Sequence, residues 1–299
     1  MRSELKRRLD AADAALAFVN VGPGDARHRS LVEGVAAERL STEQAVLYTV
    51  DQHGLRIDSR RAPAVRSFDD YLIPGTFVLR NRLVDELHPD GIDDAELLSL
   101  LERQISRLRI VELEIRPVRG HFDYEHLKQV HRRMFGDIFF WAGEERVGPE
   151  TAMIRFAPDA ANHAPGDPAA PMTKYSYFSG PEIAEAASVQ CAQLSHLASR
   201  SDLGRNRFFD LVAEHGGELN VVHPFRDGNL RALWQYAAQL EEQAGYPIDT
   251  AGFLKETRAH SVAMHAAFHF QATNDNDVMF HLMDGGLPQA QTARTLPPG

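Results

Sequence analysis

The chain has one cysteine, Cys191, among 299 residues. A single thiol cannot form an internal disulfide, which fits a reducing cytosol and a cytoplasmic place of action. In "ASVQCAQLSHL" it stands at helical spacing among apolar residues, the setting of a small buried hydrophobe rather than a nucleophile. Long apolar runs are missing as well. No stretch approaches the ~20 apolar residues of a membrane helix, and Asp10 and Asp13 interrupt the N-terminus before it could read as a signal peptide. A membrane role is not expected. Positive charge is in short supply: 32 Lys and Arg against 42 Asp and Glu leave a formal charge of −10. An acidic surface repels a phosphate backbone, which argues against general nucleic-acid binding while leaving room for a basic pocket around one nucleotide. The remainder, 43% apolar and 25% charged, is that of a soluble globular protein able to bury a sizeable core.

Helical periodicity dominates. Residues 4 to 19, "DARHRSLVEGVAAERL" and "STEQAVLYTV" read as three helices, the last capped by Ser41. They define an N-terminal module over 1–55, followed by a polar, proline-containing linker over 56–68 and a main body over 69–285, with a flexible tail over 286–299. In the body, Pro74-Gly75 marks a turn and Thr76 is expected to cap a helix running on from Phe77. "DDAELLSLLERQISRLRIVELE" and "DYEHLKQVHRRMFGDIFFWAG" are amphipathic helices, the second carrying Leu127, Val130, Met134 and Ile138 on one side. From 147 to 174 periodicity fails, and so long an irregular stretch suggests a lid or substrate loop. Helices resume in "GPEIAEAASVQCAQLSHLAS", "RFFDLVAEHGGELNVV", "NLRALWQYAAQLEEQAG" and "GFLKETRAHSVAMHAAFHF". The fold class is mostly α.

Chemistry concentrates in "VVHPFRDGNLRALW", residues 221–234. Gly228 can adopt angles closed to other residues, and it stands just before a helix whose first amides form a ready anion site. Arg231 can fork onto phosphate oxygens, Asp227 suits Mg²⁺ beside phosphates, and His223 can take a proton near neutrality. Each element is common alone; four within nine residues at a loop-to-helix boundary point to a phosphate site.

The stretch "HPFRDGNLR" resembles the signature of Fic-domain proteins, H-x-F-x-[DE]-G-N-G-R-x-x-R. "YLIPGTFVLRNRL" resembles that domain's opening segment, "FGDIFFWAGEERV" its Trp-Ala-Gly-Glu segment, "TKYSYFSGPEIAEA" its flap hairpin and following helix, and "ELNVVHPF" the lead-in to the motif. The resemblance implies a Fic-type helical bundle with a short β-hairpin flap, preceded here by the small three-helix module. It implies transfer of AMP, or another phosphate-containing moiety, from ATP or another nucleotide with Mg²⁺ onto a Ser, Thr or Tyr hydroxyl of a protein substrate. His223 would be the general base, Phe225 an anchor, and Asp227 the metal ligand. Gly228, Asn229 and Leu230 would line the anion hole with backbone amides, and Arg231 would grip the β-phosphate. The flap residues Lys174, Tyr175, Ser176, Tyr177 and Phe178 would pair with the target segment and register its hydroxyl.

Three departures bear on activity. Leu230 replaces the second small residue of the signature, so its side chain must point away from the phosphates. Trp234 replaces the second arginine, which steadies the γ-phosphate and pairs with an inhibitory glutamate in restrained members. The N-terminal "ADAALAFVNVGP" and "ERLSTEQAVL" resemble the small antitoxin subunit of one class of Fic toxins, as in a toxin–antitoxin pair, here fused in cis onto the domain. Aligned to that subunit's pattern [ST]-x-x-x-E-[GN], the chain reads Ala15, Val19, Asn20, so the glutamate is missing along with its arginine. Replacing both partners of an ion pair by apolar groups is nearly neutral, which leaves the module as a structural cap. Glu33-Gly34 is a rival inhibitory position with Arg29 where serine belongs. Two other functions stay open: a catalytically impaired binding module, and a Fic-fold enzyme acting on a small molecule. His260, His265 and His269 have partly zinc-like spacing but no acid or cysteine to complete a set. Trp141 reads as core, and Glu144, Glu145 and Arg146 as the base of the flap or as solvated charge.

Overall fold

The computed structural model describes residues 2–17, 25–60, 64–148, 153–179, 181–200, 202–247 and 259–283. Val19, Asn20 and the tail 286–299 lie outside them.

Three short helices come first: α1 (Arg2–Ala17), α2 (Ala26–Ala36) and α3 (Thr42–Asp51). α2 starts where the Asp25 carboxylate accepts the His28 N–H, and α3 where Ser41 and Gln44 form a reciprocal capping box. All three pack on α4 (Ala95–Ile115), the longest helix described, whose Asp94 cap accepts the Glu96 and Leu97 N–H groups. Apolar residues fall at 98, 101, 105 and 108 of α4, a stripe at helical spacing, and the opposite side is buried as well under α1–α3. Ala12, Ala14 and Ala15 are fully buried and belong to the same continuous core as the body. Small residues on α1 let the two helices approach closely. Ion pairs frame the contact: Arg7–Glu114 at 3.2 Å, Glu43–Arg109 at 3.1 Å, and Asp13–Arg107.

The stretch read as a linker opens with strand β1 (Arg56–Ile57), which pairs antiparallel with β2 (Leu83–Val84). Between them lie a 3-10 turn over Phe68–Tyr71 and a tight reversal. The helix expected after Thr76 does not form. Thr76 Oγ1 instead donates to the Ile73 carbonyl at 2.9 Å and accepts the Val78 N–H at 3.1 Å, while Leu72 bridges Leu79. A threonine side chain serves a turn as readily as a cap, and the turn won because Tyr71 and Arg80 also bond across it. Phe77 sits at its tip, almost wholly exposed.

α5 (Tyr124–Phe135) ends earlier than its apolar pattern suggests; Ile138, Phe139 and Trp141 are buried from turns rather than from a helix. The irregular stretch 147–174 contains one strand of a hairpin, β3 (Ile154–Pro158), paired in register with β4 (Met172–Ser176): Ile154 opposite Ser176, Phe156 opposite Lys174. Then α6 (Ile183–Leu197), α7 (Arg205–Val222) and α8 (Asn229–Ala244) complete the central bundle. α9 (Ala259–Thr273) and α10 (Asp277–Met283) pack on α7, and α9 supports β4. Among the described residues no helix is long and apolar enough to cross a membrane.

Candidate active site

The site forms where α7 stops and α8 starts. α7 ends because His223 takes left-handed angles, φ 50° and ψ 62°, with its N–H bonded to the Leu219 carbonyl at 3.0 Å. A histidine in that region persists only when its surroundings hold it. Arg146 does most of the holding. Buried, it donates from Nε to the His223 carbonyl at 2.6 Å and from Nη2 to the Phe178 and Val222 carbonyls, while its own N–H meets the Pro224 carbonyl at 2.9 Å. Phe178 N–H adds a bond to the Val221 carbonyl at 2.9 Å, so one arginine fastens the flap and the motif together. Arg146 therefore belongs to the flap base and is not a solvated charge.

The His223 imidazole stacks under the Tyr177 ring, centroids 3.9 Å apart and planes 24° from parallel. Its Nδ1 is buried without a full hydrogen bond, leaving Nε2 as the nitrogen able to meet a substrate. Burial first, then the positive charge of Arg146, push its pKa down to about 3, opposed by the Asn220 backbone and helped to a smaller extent by Arg155 and Arg226. The ring is neutral at physiological pH and its outer nitrogen is free to accept a proton.

The loop that follows is closed from within. Asn229 Oδ1 accepts the Phe225 N–H at 2.9 Å and its Nδ2 donates to the Phe225 carbonyl at 2.8 Å. Phe225 is fully buried and stacks on His131, centroids 3.9 Å apart. His131 Nδ1 accepts the Gly143 N–H at 2.9 Å, so Nε2 carries the proton and donates to the Asp227 carbonyl at 2.8 Å. Burial lowers this histidine to about 3, which keeps it neutral and that tautomer fixed. Gly228 is required twice over: its φ is +78°, and an added Cβ would stand 2.5 Å from the Phe135 ring.

α8 begins with no side-chain cap, so the first-turn amides of Asn229, Leu230 and Arg231 lack partners within the helix. The Gly228 N–H is already held by Asp227 Oδ1 at 2.6 Å, which narrows the open amides to these three. The Asp227 carboxylate is exposed beside them. A hard cation taking carboxylate and phosphate oxygens suits that pairing, and an anion suits the amides. Leu230 is turned into the fold, lining an apolar cleft with Leu194, Val212, Leu219 and Met279, and does not cover the amides. The Asn229 side chain closes the loop, which leaves only its backbone facing outward.

Arg231 departs from the expected geometry. Only 6% exposed, its Nη2 lies 2.5 Å from Glu102 of α4, and its guanidinium stacks on Phe135 at 4.7 Å. Burial raises the Glu102 carboxyl, opposed by Arg231 itself. Trp234, 3% exposed, is a core residue on the buried side of α8. Ala15 is fully buried on α1, where it packs.

The flap residues divide by side. Tyr175 stacks on Phe268 of α9 at 4.2 Å and its hydroxyl accepts the Ala160 N–H at 2.9 Å; Tyr177 covers His223. Both are buried, so these two tyrosines anchor the flap and are not offered to a partner. Lys174 and Ser176 share the exposed side with Ile154, Phe156 and Met172. Elsewhere, Cys191 is fully buried and its thiol is pushed up to about 12 by burial, as befits a core residue. His269 is bonded to the Ala160 carbonyl at 2.7 Å, and no cluster of three His, Cys, Asp or Glu residues among those described could hold a metal.

Glu102 and His131 lie outside every motif of the sequence. Both fall inside an apolar stripe, Glu102 beside Leu98, Leu101 and Ile105, His131 between Leu127, Val130 and Met134. A titratable residue within such a stripe is the signal that finds a buried partner.

Comparison with known proteins agrees with this arrangement. The Fic/DOC family profile matches residues 121–240, which include α5, the flap, α7 and the motif loop. The chain is 33% identical over 183 residues to the protein adenylyltransferase VbhT of Bartonella schoenbuchensis, covering 61% of this chain and 33% of that protein. It thus spans about a third of the length of that relative. It is 32% identical over 190 residues to the Fic protein of Salmonella typhimurium, named a probable protein adenylyltransferase, covering 63% of this chain and 80% of that one. Among solved structures, the Bartonella tribocorum effector BepC with bound AMPPNP has the same fold, with a TM-score of 0.55 and 22% identity over 72% of this chain and 95% of that one. An N-terminal Fic domain from Bartonella quintana with bound ADP has a TM-score of 0.56 at 21% identity, over 73% of this chain and 94% of that one. With the flap, the left-handed histidine and the glycine-bounded helix start all in place, the chain belongs to the Fic/DOC family.

Proposed function

We propose that the chain transfers AMP from a nucleotide triphosphate to a hydroxyl of a protein target, in the cytoplasm where nucleotide and Mg²⁺ are at hand. The observation that carries this reading is the placement of a neutral, outward-facing imidazole nitrogen beside three open helix-start amides. The amides of Asn229, Leu230 and Arg231 bind and orient the donor phosphates. Asp227 holds Mg²⁺, which when bound offsets negative charge on those phosphates. His223 Nε2 takes the proton of the target Ser, Thr or Tyr hydroxyl as its oxygen attacks the α-phosphorus, and the bond to pyrophosphate breaks. Tyr177 and Arg146 keep the ring where that nitrogen meets the nucleophile.

Each strand of the two-stranded flap has an outer edge unpaired by any other described strand, which suits a target segment adding alongside and registering its hydroxyl. Among the described residues the irregular stretch supplies the first strand of the flap and its connection to the second, which suits a protein target better than a closed small-molecule pocket. The impaired-module reading has two observations in its favour: Arg231 is occupied by Glu102, and Trp234 carries no charge. Incubation with α-labelled and γ-labelled ATP separates the two. Label from the α-position only, lost in His223→Ala, is the expected outcome; nucleotide binding without label on any protein would favour the impaired module.

A further inference from the structure

The cations around the motif do not divide as the signature implies. Arg231 is paired with Glu102 at 2.5 Å, and the position of the second arginine is the buried Trp234. Arg146 spends its donors on three backbone carbonyls. Arg226 is seated over the Phe68 ring at 4.4 Å and near Tyr71 at 5.8 Å, with Asp227 beside it. Arg231, Trp234 and Arg146 thus offer no free guanidinium to a polyphosphate, and Arg226 is held against aromatic rings.

Arg155 is different. It lies at the middle of the flap's first strand, opposite Tyr175 in the register. Cross-strand partners share one side of a sheet, and residues two apart share it too, so Arg155 lies on the same side as Tyr175 and Tyr177. Its charge acts on the Tyr177 hydroxyl, opposing the upward push of burial there, and Tyr177 stacks directly on His223. The residue is exposed, and no acidic side chain among those described pairs with it.

We propose that Arg155 of the flap is a phosphate-binding residue of this site, supplying the donor with the positive charge that Arg231 and Trp234 withhold. Its charge already reaches the imidazole, where it helps to keep the ring neutral. A guanidinium in that place meets phosphate oxygens with paired N–H donors, which an ammonium cannot match. The flap then has two tasks: its edge receives the target, and its inner side closes on the donor.

This inference rests on the nucleotide-transfer reading, and the test separates the two. The affinity of wild type, Arg155→Gln and Arg155→Lys for Mg-ATP is measured by calorimetry at several salt concentrations, with melting curves as a folding control. Arg155→Gln is expected to melt like wild type, to bind about ten- to a hundredfold more weakly, and to show a smaller salt dependence. Arg155→Lys is expected to recover part of the affinity. Wild-type affinity in Arg155→Gln overturns the inference and leaves the transfer reading intact. No binding by wild type overturns both.

Discussion

Removing the Glu102 carboxylate should destabilise the whole bundle, because Arg231 would be left as a lone charge inside it. The pair is close, 2.5 Å, and both side chains are nearly enclosed, 14% and 7% exposed. Breaking a buried ion pair from one side costs about 3–5 kcal/mol, since the surviving charge keeps its desolvation penalty and loses its partner. Glu102→Ala should therefore lower stability by roughly that amount in urea unfolding, with the midpoint moving and the slope unchanged. Some of the loss is softened, because burial already raises the Glu102 carboxyl towards its neutral form. The informative variant is the double one. Glu102→Leu with Arg231→Met removes both charges in similar volume and should be far milder than the two single changes added together, a coupling of about 1–3 kcal/mol. Additive single and double variants, or a Glu102→Ala loss below about 1 kcal/mol, would refute the idea that these residues neutralise each other.

Further outcomes follow from the same structure. Gly228→Ala should cost about 2–4 kcal/mol and abolish nucleotide binding, since it forces an L-residue to positive φ and drives a methyl into Phe135; thermal melts and calorimetry would check both. NMR titration of apo protein should find His223 still neutral at pH 5, well below the usual histidine range, with its pKa rising when the anionic donor binds. Glu114, raised by burial to about 7, makes the folded state hold a proton that the unfolded chain releases near 4.5. The stabilisation is complete below pH 4.5 and is lost as pH climbs to 7, a change of about 3 kcal/mol that Glu114→Gln should erase from urea melts.

The sequence disclosed most of the helices because their apolar residues recur at helical spacing, and it disclosed the motif because its unusual residue types sit within nine positions. Its failures have local causes. Thr76 carries a hydroxyl that caps a helix or closes a turn with equal ease, and only contacts across Tyr71 and Arg80 decide between them. The first flap strand is hard to see because the alternation in Ile154–Pro158 lasts only three residues and turns its apolar side to solvent. The resemblance sets Tyr175 and Tyr177 with their neighbours facing the target, yet a strand sends alternate residues to opposite sides and these two point inward. Arg231 was legible as a phosphate ligand and not as half of an ion pair, because its partner lies more than a hundred positions away on α4. Motif chemistry is local; the charge balance around it is set by packing.

A co-crystal structure with a non-hydrolysable ATP analogue and Mg²⁺ would test the central claim most directly. The account predicts phosphate oxygens on the amides of Asn229, Leu230 and Arg231, the metal against Asp227, and the α-phosphorus on the side of His223 that carries Nε2. A nucleotide bound elsewhere, or none at saturating concentration, would contradict it.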